Sequence, residues 1–178
     1  RQVFGRDSGG LVRPYRCEDA ETIIVALGSV LGTIKDVVDE RRDRGERIGV
    51  LGITSFRPFP RELVRQSLWN ATRFIALEKA FSIGVGGIVA PQVREALEGH
   101  PIQHSTVIAG LGGRPITKES LHRMLDRSAL GQVGHLEFMD LDEDMVEREL
   151  YRAVTNRRSG PVAENMLKDL GAVRADPH

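Results

Sequence analysis

Four short apolar runs, each followed by a helix-period pattern, constrain this chain more than any other feature. The first, Thr22-Ile23-Ile24-Val25-Ala26-Leu27, is largely β-branched, uninterrupted and closed by Gly28. A strand buried on both faces of a parallel sheet reads this way, because neither face meets water. From Val30 the period changes. Val30, Leu31, Ile34, Val37 and Val38 recur at three and four, with Lys35, Asp36, Asp39, Glu40 and Arg42 on the other faces. That spacing predicts an amphipathic helix. Arg41, Arg42 and Arg44 crowd its last turn, where the helix dipole favours cations, and Gly45 stands where a left-handed C-cap belongs.

The same alternation returns with strands at Ile48 to Ile53, Phe74 to Leu77 and Thr106 to Ala109. Pro60 is placed to start the second helix, with Leu63, Val64 and Leu68 inward. The third helix carries Val89, Val93, Ala96 and Leu97. In the fourth, Thr117 serves as N-cap, and Ile116 with Leu121 forms a hydrophobic staple. Short right-handed connections between such elements force a parallel sheet with helices on both faces. Residues 1–19 are expected to be a linker and edge strand from an upstream domain, with Pro14 confining Leu11 to Tyr15 to the edge. Residues 20–130 are expected to form the α/β domain, and residues 131–178 a helical C-terminal arm. Within that arm the pattern predicts a charged helix over Leu141 to Val154, thinly striped by Met145, Leu150 and Val154. A last short helix is predicted over Ala163 to Leu170.

The balance of charge excludes some partners. Lys+Arg and Asp+Glu both number 25, so nothing favours nucleic acid or an anionic membrane. No apolar run reaches the roughly 18 residues that suggest a membrane span. The single cysteine, Cys17, cannot build an internal disulfide, an iron–sulfur cluster or a zinc knuckle, and a cytoplasmic location is expected. The chain begins at Arg1 rather than Met and reads as a piece of something longer.

Candidate functional residues gather in loops that follow the strands. Gly28-Ser29 opens the first helix, where backbone N–H groups meet anions, and a serine cap is the simpler reading. Gly84-Val85-Gly86-Gly87 precedes a helix but misses the dinucleotide-binding spacing, since Val89 stands where the third glycine belongs. Gly110 to Gly113 with Arg114 reads as a turn. Arg57 could pair with a carboxylate or phosphate, or pin its own loop. In open parallel sheets, ligands collect at the carboxyl ends of strands where the strand order reverses. If the first and third parallel strands are neighbours, Gly28, Ser29, Glu78, Gly84, Gly86 and Gly87 face that crevice. No nucleophile with a base appears there, and the five histidines show no metal-ligand spacing. The edge therefore reads as one for ligand binding or domain docking.

Several of these motifs, in order, resemble domain II of pyruvate:ferredoxin oxidoreductase alpha subunits. They are Tyr15-Arg16-Cys17-Glu18-Asp19-Ala20-Glu21 leading to Ile24-Val25-Ala26-Leu27-Gly28-Ser29-Val30; Val37-Val38-Asp39 with Gly45 and Ile48-Gly49-Val50-Leu51; Phe56-Arg57-Pro58-Phe59-Pro60; Val93-Arg94-Glu95-Ala96-Leu97; and Ile108-Ala109-Gly110-Leu111-Gly112-Gly113-Arg114. The likeness covers about Leu11 to Met124. Two positions depart from it: Glu78-Lys79 stands where the family often has Asp-Arg, and Gly86-Gly87-Ile88-Val89 where Gly-Pro-Leu is common.

The resemblance implies a transketolase C-terminal-like domain, three-layer α/β/α, with a mostly parallel five-stranded sheet whose first strand is antiparallel. It implies an enzyme that decarboxylates pyruvate or a related 2-oxoacid on thiamine diphosphate with Mg²⁺, reduces ferredoxin through iron–sulfur clusters and releases an acyl-CoA. Those groups would sit on the upstream thiamine-binding domain and on other subunits, leaving this chain no cofactor and a role in subunit association. A free-standing nucleotide- or CoA-binding domain using the Gly28 or Gly84 loop is the alternative reading.

Overall fold

The computed structural model describes residues 9–155. They form β1 (Val12–Tyr15), β2 (Thr22–Ala26), α1 (Val30–Arg42), β3 (Ile48–Ile53), α2 (Arg61–Leu68), β4 (Arg73–Glu78), α3 (Val89–Ala96), β5 (Gln103–Ile108), α4 (Lys118–Ala129), β6 (Leu136–Phe138) and α5 (Glu143–Thr155). One sheet runs in the order β1-β3-β2-β4-β5-β6. β1 is antiparallel to β3, with Pro14 opposite Leu51, and the remaining pairs are parallel. Pro14 is tolerated because β1 is an edge strand.

The continuous apolar runs are split by the strand's period of two. Ile23 and Val25 join Leu51, Phe74 and Ala76 in a layer with Val64 and Leu68 of α2 and Val89 and Val93 of α3. Ile24 and Ala26 join Val50, Ile75 and Val107 in the opposite layer with Ile34 and Val37 of α1 and Leu121 and Leu125 of α4. Burial of each such Ile, Leu or Phe stabilises the fold by about 1.5–3 kcal/mol. A substitution that slipped the register of β2 by one residue would exchange the two layers.

Two helix starts follow the sequence reading and one does not. Thr117 caps α4 by accepting a hydrogen bond from the Ser120 N–H at 3.1 Å, and Ile116 packs against the layer holding Leu121. Pro60 lies at the N-cap of α2, its carbonyl accepting from Val64 N–H at 3.0 Å. Ser29, expected to cap α1, makes no side-chain capping bond and is itself helical in backbone. Leu63, expected inward on α2, is exposed, because α2 turns Val64 and Leu68 to the sheet.

The sheet holds six strands where five are expected. β6 pairs with β5 over Thr106 to Ile108 and lies in the segment assigned to a helical arm. It is only three residues long and at best half-buried, so it carries no buried-strand signature. Its connection is also unusual. β2–α1–β3 steps toward β1 and β5–α4–β6 steps away from it, yet α1 and α4 lie on one face. Two connections that step oppositely past the same face have opposite hands. The β3–α2–β4 and β4–α3–β5 connections share the hand of the first, so β5–α4–β6 is the left-handed exception to the usual rule.

A polar clamp ties α1 to α4. Arg41, 5% exposed, donates to His122 Nδ1 at 2.8 Å, to the His122 carbonyl at 2.5 Å and to Asp126 at 2.5 Å. His122 Nε2 meets Glu40 at 2.8 Å, and Lys118 reaches Glu40 at 3.0 Å. The described residues fall into a compact unit that ends at Asp140 and a second that begins at Leu141 and contains α5. The predicted helix over Ala163 to Leu170 lies outside the described residues. No helix among the described residues is long and apolar enough to cross a membrane.

Candidate functional site

β2 and β4 are neighbours, and the chain leaves them toward opposite edges of the sheet. Their carboxyl ends therefore form the crevice that the topology reserves for ligands or partners. Gly28 and Ser29 follow β2, and Gly28 has a φ of +79°, which lets the chain turn sharply into α1. Glu78 ends β4. The Gly84 loop follows it, and Arg57 lies on the loop after β3.

Glu78 is the best-determined group on this edge. It is 4% exposed, and its carboxylate turns away from solvent onto the start of α3. One oxygen accepts from the backbone N–H groups of Ile88 at 2.5 Å and Val89 at 2.8 Å, and the other from Ala90 at 2.9 Å. These donors are the orphan N–H groups at the helix start, and the carboxylate also complements the helix dipole. The position a phosphate would occupy at this helix is already taken by a fixed negative charge. Gly87 makes this possible: a Cβ there would stand 2.0 Å from Glu78 Oε1 and 2.9 Å from the Thr106 methyl. Gly87 is thus required by close approach to a carboxylate within the chain.

The rest of that loop projects outward. Ser82 and Gly86 exchange hydrogen bonds at 2.7 and 2.8 Å, closing a small turn with Gly84 near its tip. Gly84 and Gly86 have φ of +83° and +84°, a geometry few other residues adopt without strain. Ile83 at the tip is 92% exposed and Val85 is 62% exposed. Phe81 packs edge-on against Phe138 of β6, 5.1 Å between ring centroids, and Leu136 lies beneath Gly86. Phe81, Ile88 and Leu111 are also exposed. Exposed apolar side chains that lie together mark interaction sites or ligand grooves.

Arg57 is held within its own loop. Its guanidinium lies 4.1 Å from the centroid of the Phe56 ring, donates to the Phe56 carbonyl at 3.0 Å and reaches Gln92 of α3 at 3.5 Å. It makes no ion pair among the described residues. The crevice thus assembles Glu78 and Gly87 tightly, while Ser29 and Arg57 stand on separate loops with no bond to them.

Histidines collect elsewhere. His104 stacks on Phe74 and lies 5.6 Å from His135, near the amino ends of β4 and β5. Burial, with help from Arg94 and His135, holds the His104 ring below the ordinary imidazole range. No group of three or more His, Cys, Asp or Glu among the described residues could hold a metal ion. Cys17 is buried, with its sulfur 3.3 Å from the Val50 carbonyl, and burial pushes its thiol up to about 11. One buried cysteine cannot supply the set of thiolates that an iron–sulfur cluster needs.

Sequence reasoning missed Ile83 and Val85 as surface groups. The available signal was two β-branched apolar residues flanking glycine outside any strand or helix pattern.

The three-layer α/β fold, a mixed sheet with its first strand antiparallel, is shared with enzymes of the 2-oxoacid:ferredoxin oxidoreductase class. In fold it is similar to a 2-oxoglutarate:ferredoxin oxidoreductase from Magnetococcus marinus, with a TM-score of 0.51 and 16% identity over 67% of this chain and 20% of that one. The pyruvate:ferredoxin oxidoreductase core domain II family matches residues 20–121, and the chain belongs to that family. It is 38% identical to pyruvate synthase subunit PorA of Methanosarcina barkeri over 82% of this chain. It is 36% identical to the alpha subunit of NADH-dependent phenylglyoxylate dehydrogenase of Aromatoleum evansii over 70% of this chain. The chain spans 38% and 31% of the lengths of those two relatives.

Proposed function

We propose that this chain is the part of an oxidoreductase alpha subunit that packs against the thiamine-binding domain and the other subunits. The enzyme would oxidatively decarboxylate a 2-oxoacid, pyruvate or a close relative, with ferredoxin and coenzyme A as co-substrates. Thiamine diphosphate supplies the carbanion chemistry in such enzymes; the residues here do not fit it, so its binding falls to other domains. The carrying observation is the carboxyl edge itself. Of the two helix starts on this edge, that of α3 is filled by the Glu78 carboxylate, and beside it Ile83 and Val85 stand in solvent. That combination suits a protein surface better than a nucleotide or CoA. The similar identities to a pyruvate and a phenylglyoxylate enzyme support the 2-oxoacid class more than any one acid.

The test is assembly. Ile83→Asp with Val85→Asp changes two exposed side chains and is expected to leave the thermal midpoint of this chain within about 2 °C. It is expected to lower recovery of the other oxidoreductase subunits, in co-purification with the intact alpha subunit, at least tenfold. Full recovery with the double variant would reject the apolar turn as a docking surface.

A further inference from the structure

The amino ends of the strands carry a cavity that the carboxyl edge does not explain. β6 pairs with β5 only from Thr106 onward, where Thr106 stands opposite Leu136. Before that point the connection from α4 leaves β5 unpaired on this side. A groove of about 490 Å³ opens there, lined by Arg73, Gln103, His104 and Ser105 of the strands and by Val133 and His135 of the connection. That volume falls in the range of small-molecule sites.

The groove is basic. Arg73, His104 and His135 line it, and no carboxylate does. The Arg73 guanidinium stays charged at any ordinary pH. It is fixed by neutral acceptors alone: the Ser128 carbonyl at 2.6 Å, the Ser128 hydroxyl at 3.3 Å and Gln103 Oε1 at 3.2 Å. Among the described residues it has no carboxylate partner. The carboxylates around it are committed elsewhere, Glu21 to Arg47, Glu46 to Arg41 and Glu137 to Arg127.

The backbone adds a donor. Gln103 N–H turns toward β4, to the Thr72 carbonyl at 3.0 Å, and Thr106 N–H turns the other way, to the His135 carbonyl at 2.9 Å. Alternation along the strand places the His104 N–H on the side of Thr106, where β6 has no residue opposite it. The His104 ring stacks on Phe74 and lies 5.6 Å from His135. Burial holds that ring below the ordinary imidazole range, and Arg94 and His135 push the same way as positive neighbours. A bound dianion opposes their push and favours the protonated ring. Both terminal nitrogens of Arg73 are already engaged, so the guanidinium offers charge rather than a free fork for a carboxylate. Separate donors around a fixed cation suit a tetrahedral dianion. Ile102 and Val133 give the groove an apolar wall, which suits an anion with an organic body.

We propose that this groove binds a phosphate monoester, with the phosphate among Arg73, His104 and His135 and the organic part against Ile102 and Val133. The site lies at the end of the sheet opposite the Ile83 turn, and it goes beyond the docking role without resting on it.

The test is titration of the 178-residue chain, followed by amide and imidazole NMR, with adenosine 5′-monophosphate, ribose 5-phosphate, inorganic phosphate and adenosine. Both esters are expected to saturate with a Kd below about 1 mM, to shift the amides of 103–105 and 131–135, and to raise the titration midpoint of His104. Inorganic phosphate is expected to bind at least fivefold more weakly, and adenosine not at all. Ester affinity is expected to rise at least threefold from pH 7.5 to 6.5, a window above the ester's own ionisation near pH 6. Arg73→Gln and His135→Ala are each expected to weaken ester binding at least fivefold. His135 is exposed and makes no side-chain hydrogen bond among the described residues, so its variant keeps the fold where Arg73→Gln loosens the end of α4. Lys79→Gln, which removes a cation from the carboxyl edge, is expected to change affinity less than twofold. Three results would overturn the proposal: no saturable shift at 103–105 and 131–135, equal affinity for the esters and inorganic phosphate, or shifts centred on 28–32 or 84–87 with binding lost in Lys79→Gln. None of these results bears on recovery of other subunits, so this site and the docking role fail separately.

Discussion

At the scale of single residues, Glu78 and Gly87 form one device. The carboxylate satisfies three helix-start donors, and the missing Cβ gives it room. Glu78→Ala strands those donors away from water and is expected to cost about 2–4 kcal/mol in urea unfolding. Gly87→Ala displaces the carboxylate and is expected to cost a similar amount. A loss below about 1 kcal/mol for both would show that α3 does not depend on the cap. Cys17 gives a pH prediction. Its buried thiol is held up to about 11, above its ordinary value near 9.0. An unfolded chain would release that proton first, so the stabilisation is complete below about pH 9 and declines as pH rises through 11. The stability advantage of wild type over Cys17→Ala is expected to shrink between pH 8 and 10.5, by on the order of 2 kcal/mol at most. A gap that stays constant over that range would contradict the burial argument.

At the scale of elements, the arginines closing α1 show where local rules stop. A cluster of cations at a helix C-terminus suits the dipole, and the pattern gives no reason to bury one of them. Arg41 is nevertheless inside, because α4 brings His122 and Asp126 over it, and Arg42 turns to the Ile48 carbonyl and Asp19. Arg41 Nε can only donate, so His122 Nδ1 must accept, and the ring carries its proton on Nε2 facing Glu40. Long-range ¹⁵N–¹H spectra are expected to show a bare Nδ1 and a protonated Nε2 for His122. A proton on Nδ1 would break the clamp as drawn. The Gly84 loop is the complementary case: its glycines are plain in the sequence, but what Gly87 accommodates is a side chain from the preceding strand.

At the scale of the whole molecule, four strand–helix repeats produce a three-layer core, and the surfaces left over are what the enzyme would use. At the carboxyl edge the start of α3 is closed by Glu78, and the loop before it offers an apolar turn. The assembly test acts at this scale, since the Ile83 turn is not needed to hold the sheet together. β6 also belongs here: its left-handed return is held by Thr106 N–H to the His135 carbonyl at 2.9 Å and Met139 N–H to the Ile108 carbonyl at 2.8 Å.

Much of the fold was legible because its signals are local. β-branched runs, a change of period at Val30, the Thr117 cap and an edge-confining Pro14 each act within a few residues, and the sheet follows from their order. The reversal of strand order between β2 and β4 was legible only as a condition. What the tertiary structure alone decided was the use made of particular side chains: Glu78 as a cap, Arg41 as a buried clamp, Ile83 as a projecting tip and Leu136 to Phe138 as a sixth strand. Each depends on groups brought close by the fold but distant in sequence or hidden in an irregular segment. No periodicity records such a meeting, because the free energy that fixes it arises only when the surfaces come together.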